Sequence, residues 1–162
     1  MNSRHSLAVL FAAGALLLGG CNYDFPLTAK PTHKVDARLL GDWTAVDKES
    51  GTPDRMKVRK LDDSTYIIAY DHDLYRAFHS DFARTQFVSV QDLQSDERKY
   101  VYFVWQLSAD GTQLGLKAIN ARVIPEKTPD RETMQKLLEK NLGNPGLFGE
   151  EMQFTRDKPA KF

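Results

Sequence analysis

Beyond residue 39 the chain reads as short apolar runs parted by turn residues. LLGDWTAVD comes first and is broken by KESGTPDR, with Gly51 and Pro53. MKVRKL, the turn DDS and TYIIAY follow, then RTQFVSVQDL, closed by QSDER. KYVYFVWQLS has the clearest strand pattern. Val101, Phe103, Trp105 and Leu107 share one face at period two, and Tyr100, Tyr102, Val104 and Gln106 share the other. The Asp-Gly pair of ADGT predicts a hairpin. QLGLKAINARVI then returns, with Leu114, Leu116 and Ala118 on one face. The links between these runs are too short to carry a crossover helix, so neighbouring strands are expected to be antiparallel.

TPDRETMQKLLEKNLG predicts one helix. Thr128 suits its N-cap and Pro129 its first position, while Asp130 and Glu132 suit the positive end of the dipole. Met134, Leu137, Leu138 and Leu142 form an apolar stripe, and Gly143 suits a left-handed residue just past the end. EEMQFTRD is a closing strand with Met152 and Phe154 on one face. About seven or eight antiparallel strands with one late helix predict a mainly β sandwich or barrel.

The first two dozen residues follow different rules. From Leu7 to Leu18 every residue is apolar or glycine, after a short polar start carrying Arg4. That run falls short of the roughly 20 residues that a spanning helix needs and reads as a secretory signal. Leu18-Gly19-Gly20-Cys21 closes it and holds the only cysteine. This tetrapeptide resembles the lipobox of bacterial lipoproteins. The resemblance implies cleavage before Cys21, acylation of its sulfur and its new amino group, and a place in the bacterial cell envelope. Asn22, not being aspartate, implies the outer membrane, facing the periplasm. The expected organisation is a signal peptide over 1–20, a lipid-anchored flexible tether over 21–34, with Pro26 and Pro31 and no apolar period, and a single β domain over 35–162.

Gly41 and Trp43 form a Gly-x-Trp unit in the opening strand, and the late helix precedes the final strand. Both features resemble lipocalins and other calycin barrels. In that family the glycine permits a sharp entry bend and the tryptophan packs across the closed end. The resemblance implies an antiparallel lipocalin-like barrel. Six residues are then candidates to line an internal ligand cavity: Trp43, Tyr66, Phe87, Phe103, Trp105 and Leu116.

Lys+Arg and Asp+Glu balance at 22 each, so no basic surplus points to nucleic acid. A single cysteine excludes an internal disulfide and a Cys-x-x-Cys pair. No Gly-x-Ser-x-Gly elbow and no glycine-rich phosphate loop occurs. In YDHDLYRAFHSDF the metal candidates are His72, His79 and Asp81, beside Asp71 and Asp73. The histidines lie seven apart and would point to opposite faces of an unbroken strand, so a polar hairpin end is the expected role and no metal or other cofactor is predicted. The expectation is binding rather than catalysis. The barrel either holds an apolar small molecule or lipid, in a cavity of roughly 300 Å³ or more, or is filled and docks on another envelope protein.

Overall fold

The computed structural model describes residues 22–46 and 51–158. Cys21 and the signal segment lie outside the described residues. Eight strands close into an antiparallel barrel in sequence order: β1 (Gly41–Val46), β2 (Pro53–Lys60), β3 (Tyr66–Tyr70), β4 (Asp73–His79), β5 (Phe87–Asp92), β6 (Tyr100–Leu107), β7 (Gln113–Ala118) and β8 (Met152–Arg156). The ring closes where Trp43 and Thr44 of β1 pair with Arg156 and Thr155 of β8. One helix, α1 (Arg131–Asn141), lies between β7 and β8, and a short 3-10 turn, Ala37–Leu39, precedes β1. This is the lipocalin-like barrel that the sequence predicts.

The registers fix which face looks inward. Trp43 pairs with Met56, Met56 with Tyr70, Ile68 with Tyr75, Ala77 with Val90, Val88 with Phe103 and Trp105 with Leu116. The side chains from Leu39 and Trp43 through Met56, Val58, Ile68, Val88 and Leu114 to Phe154 form the interior cluster. The β6–β7 turn forms as ADGT predicts. Gly111 takes φ +71°, and Asp110 accepts from the Thr112 N–H at 3.1 Å and from the Ser108 hydroxyl at 2.6 Å. Those donors lower the Asp110 pKa to about 2, the Ser108 hydroxyl first among them.

A second core lies outside the barrel. The outer faces of β5 and β6 bring Phe87 and Tyr102 against Met134 and Leu138 of α1, with Ile119, Ile124 and Leu147. Tyr100 and Val104 pack at its edge. Asp130, not Thr128, caps the helix, accepting from the Thr133 N–H at 2.7 Å. The Thr128 hydroxyl instead donates to the Pro125 carbonyl at 2.6 Å, which places Pro129 just outside the helix. Gly143 is not left-handed: Leu142 keeps right-handed geometry, and the Asn144 N–H closes the end on the Asn141 carbonyl at 2.8 Å.

The same outer core holds the segment expected to be a flexible tether. Residues 22–34 form no regular element, yet Tyr23 and Leu27 are completely buried. The Tyr23 ring stacks on Tyr102 at 4.6 Å between centroids. Its backbone exchanges two 2.8 Å hydrogen bonds with Tyr100, and its hydroxyl donates to the Ile124 carbonyl at 2.9 Å. The Leu27 N–H donates to Ser89 Oγ at 3.0 Å. From α1, Arg131 Nε donates to the Pro26 carbonyl and Gln135 Nε2 to the Leu27 carbonyl, each at 2.9 Å. The stretch is pinned between barrel wall and helix because its two large apolar side chains complete a face that would otherwise meet water.

Tyr23→Ala therefore costs about 3–5 kcal/mol, the range for deleting a buried aromatic ring, read from urea unfolding of the full chain. A loose tether would tolerate the change within about 0.5 kcal/mol, and that result would contradict the packing described here.

Candidate functional site: a tube sealed at one end

The inner face grades from largely buried to open, with Leu107 the partly buried exception at the closed end. At one end, β1 starts, β8 ends, and the 3-10 turn crosses beneath. Leu39, Trp43, Val58, Tyr66, Leu114 and Phe154 are all buried there. The other end carries the β3–β4 turn and the β5–β6 loop. There Tyr70, Tyr75, Val90, Val101 and Leu116 are only partly buried, although they face inward. Solvent thus reaches into the barrel from this second end, here called the mouth.

Arg156 holds the floor shut. Its guanidinium lies 4.2 Å from the centre of the Trp43 ring, a cation–π contact. Its Nη1 donates to the Leu40 carbonyl and its Nε to the Gly111 carbonyl, each at 2.7 Å, and its Nη2 reaches the Arg38 carbonyl. The Trp43 indole N–H donates to the Leu39 carbonyl at 3.1 Å. Gly41 takes φ +151°, and a Cβ there would sit 2.5 Å from Arg156 Nη1. Only glycine leaves room for both the bend and the guanidinium.

Within the tube is an apolar cavity of about 70 Å³, measured as room for the centre of a water-sized sphere. Met56, Ile68, Val88, Phe103, Trp105 and Leu116 are among its walls, Leu39 is its floor, and Tyr70 and Tyr75 stand toward the mouth. That is about half the roughly 150 Å³ of an apolar cavity able to hold benzene, and room for a short alkyl chain. It is well below the roughly 300 Å³ expected from sequence, because rings from several strands converge on it.

The six predicted cavity residues divide. Phe103, Trp105 and Leu116 line the cavity. Trp43 belongs to the floor, beneath the guanidinium. Tyr66 packs edge-on against Trp105, with ring centroids 5.4 Å apart. Phe87 is a correction: it points outward into the α1 core, and its neighbour Val88 takes the inward place. The RTQFVSVQDL run carries apolar residues on both faces, so the alternation alone does not say which one meets the tube.

Sequence reading missed Tyr70 and Val101, which share inward parity with Tyr66 and Phe103, and also Tyr75 and Val90, which share a face with no cavity residue chosen on their strands. It also missed the acids of the mouth. Asp54, Asp73 and Asp92 occupy inward positions on β2, β4 and β5, and no ion pair among the described residues engages them. Tyr75 donates to Asp73 Oδ2 at a long 3.4 Å. Burial and then the neighbouring acids push the Tyr75 pKa up to about 12, and burial with Asp54 raises that of Tyr70.

The metal candidates do not converge. His72 lies in the exposed turn before β4 and His79 at the far end of that strand. His79 Nε2 is 2.9 Å from the Tyr66 hydroxyl, which itself accepts from the Asp36 N–H at 2.6 Å. The Tyr66 hydroxyl and His79 Nε2 thus share one buried hydrogen bond. Asp81 pairs with His33 at 2.7 Å and accepts no contact from His72 or His79. Among the described residues, no three His, Cys, Asp or Glu side chains are placed to hold a metal ion.

No protein-family model matches the chain, and no curated protein or solved structure matches it either. The fold class thus rests on strand order and closure.

Burial lowers the His79 pKa and the adjacent His33 lowers it further, against the pull of Asp81 and Asp36. The folded chain then binds this proton less readily than the unfolded chain. Stability is fully present above the ordinary histidine value of about 6.5 and declines as pH falls below it. Thermal unfolding between pH 7.5 and 5 should show this decline, and His79→Gln should flatten it. An unchanged slope in that variant would refute the assignment.

Proposed function

We propose that this chain is an envelope lipoprotein, acylated at Cys21, whose barrel binds the apolar end of a small or chain-like molecule. The observation that carries the binding reading is the graded tube. Aliphatic and aromatic side chains stay partly open to solvent at the mouth above a floor sealed by Trp43, Leu39 and Arg156. A chain folding for stability alone gains by filling such a space, since apolar area left wet forgoes about 25 cal/mol per Å². The anchor is supported by the lipobox resemblance and by the lone cysteine. No helix among the described residues is long and apolar enough to cross a membrane.

The volume of the cavity, about 70 Å³, restricts the buried part of the ligand to a short alkyl chain. The mouth restricts its polar end. A carboxylate seated there would face Asp54, Asp73 and Asp92, and like charges at short range repel. An alcohol or an amine meets acceptors instead. The ligand class is accordingly a slender apolar molecule with an uncharged or cationic head.

The test is a calorimetric titration with octanol, octylamine and octanoate at pH 7. Saturable binding is expected, with the alcohol and the amine bound at least about tenfold more tightly than the acid, equivalent to about 1.4 kcal/mol. Leu116→Trp fills the tube and should abolish binding while leaving the far-ultraviolet spectrum intact. Absence of saturable binding in the unaltered chain would leave the filled-barrel docking module as the better reading. Binding of octanoate as tight as that of octylamine would remove the role given to the acidic mouth.

A further inference from the structure

His79 holds an inward position of β4, in register with Val88 of β5, and is only 9% exposed. An imidazole gains less there than an aliphatic side chain would, because its ring nitrogens give up water. Its surroundings show what the ring does instead. Tyr66 of β3 and Trp105 of β6 meet it edge-on, with centroids at 5.7 and 5.1 Å. Tyr66 and Trp105 also meet each other edge-on, so the three rings form a closed triangle. Trp105 carries that triangle to the cavity, whose wall it joins. A fourth ring, His33, stands perpendicular to His79 at 5.8 Å.

The groups facing His79 come from three places. β3 supplies the Tyr66 hydroxyl, at 2.9 Å from Nε2. The segment before β1 supplies His33 and Asp36, the latter already engaged by Arg38 at 2.7 Å. The turn after β4 supplies Asp81. Val88 and Trp105, from β5 and β6, bring no charge. Asp81 Oδ2 pairs with His33 at 2.7 Å, but Asp81 Oδ1 is buried with no hydrogen-bond partner among the described residues. Asp81 follows His79 by two residues, a spacing that sets side chains of an extended chain on the same side. A buried acceptor thus stands unused beside a buried histidine.

We infer that His79 is an acid-operated latch on the tube: neutral, it bonds to Tyr66 and backs Trp105; protonated, its ring turns to Asp81 Oδ1, Trp105 loses its backing, and the tube releases its ligand. The release rests on the binding proposed for the tube, whereas the turn of the ring does not. An imidazolium held among rings lacks the counter-charge that would offset its lost hydration, and the Tyr66 hydroxyl supplies none. A carboxylate does, through a hydrogen bond roughly twice as strong as a neutral one. Burial, and after it His33, hold the His79 pKa down, while Asp81 and Asp36 pull it up. The ring is therefore neutral at pH 7 and takes its proton below the ordinary value of about 6.5. The same ring touches the chain entering β1. The Thr32 N–H donates to the His79 carbonyl and the Asp81 N–H to Thr32 Oγ1, each at 2.9 Å. The Asp36 N–H donates to the Tyr66 hydroxyl at 2.6 Å, so the latch also bears on the floor.

The experiment labels the full chain with 5-fluorotryptophan and with nitrogen-15 in the histidine rings, and follows both by NMR from pH 7.5 to 5. Trp43 and Trp105 give the two fluorine signals, told apart with Trp105→Phe. The Trp105 signal should move with the midpoint at which the His79 nitrogens titrate, and the Trp43 signal should stay. Asp81→Asn should lower that midpoint, and His79→Gln should abolish the movement. A Trp105 signal that is flat, or that follows His33 or His72 instead, would overturn the latch, and this readout needs only the unaltered sequence. Calorimetry with octanol, which carries no charge across this range, reads the release. Its Kd at pH 5 should be at least about fivefold above that at pH 7.5, since a proton excluded by binding weakens affinity by up to about tenfold per pH unit below the ring's pKa. An octanol affinity unchanged at pH 5 while the Trp105 signal moves would overturn the release. Absence of octanol binding at pH 7.5 would defeat the tube reading and the release with it, while the fluorine and nitrogen signals would still decide the turn of the ring.

Discussion

The wall made by β5 and β6 is apolar on both faces, and a sheet apolar on both faces must be packed on both. Inward, Val88, Val90, Val101, Phe103 and Trp105 meet the other strands when the barrel closes. Outward, Phe87 and Tyr102 find no second sheet. Burial of each such side chain is worth about 1.5–3 kcal/mol, so the outer face recruits whatever apolar chain is near. It takes α1 from the long β7–β8 connection and Tyr23 and Leu27 from the residues before the barrel. A stretch that might have served only as a leash becomes core.

The two ends of the barrel divide the labour. The floor is closed by polar atoms that are almost all satisfied: the guanidinium of Arg156 against three carbonyls and a ring, the Trp43 N–H on Leu39, and the Tyr66–His79 pair. The mouth has aromatic hydroxyls, carboxylates outside any ion pair among the described residues, and partly wet aliphatic side chains. A tube so built takes an apolar group from one direction only.

Much of this architecture was legible in the sequence. β6 could be read face by face, since both of its faces are buried and its period is uninterrupted. The Asp-Gly turn and the Met134–Leu138 stripe were equally plain. Three things were hidden for definite reasons. β4 places Asp73, Tyr75, Ala77 and His79 inward, so its run lacks an aliphatic face and resembles a polar hairpin end. Phe87 and Val88 are both buried, at 0% and 1% exposed, so neither declares which side is the tube. Residues 22–34 have no period because they form no regular element. Tyr23 is held by Tyr100, Tyr102 and Ile124, whose distance along the chain no local pattern carries. The acids of the mouth were invisible for a related cause, since Asp54, Asp73 and Asp92 become a group only when the register aligns three strands.

Amide hydrogen exchange on the full chain tests the central claim most directly, because the claim is that residues 22–28 form part of the folded wall. Opening free energies vary along a chain, from near zero in loose ends to the global value in the core. The account predicts that the amides of Tyr23, Leu27 and Tyr100 exchange as slowly as those of Tyr102 and Val104 in the middle of β6. Exchange of Tyr23 and Leu27 at the rate of an unstructured peptide, with β6 still protected, would show a free tether and contradict it.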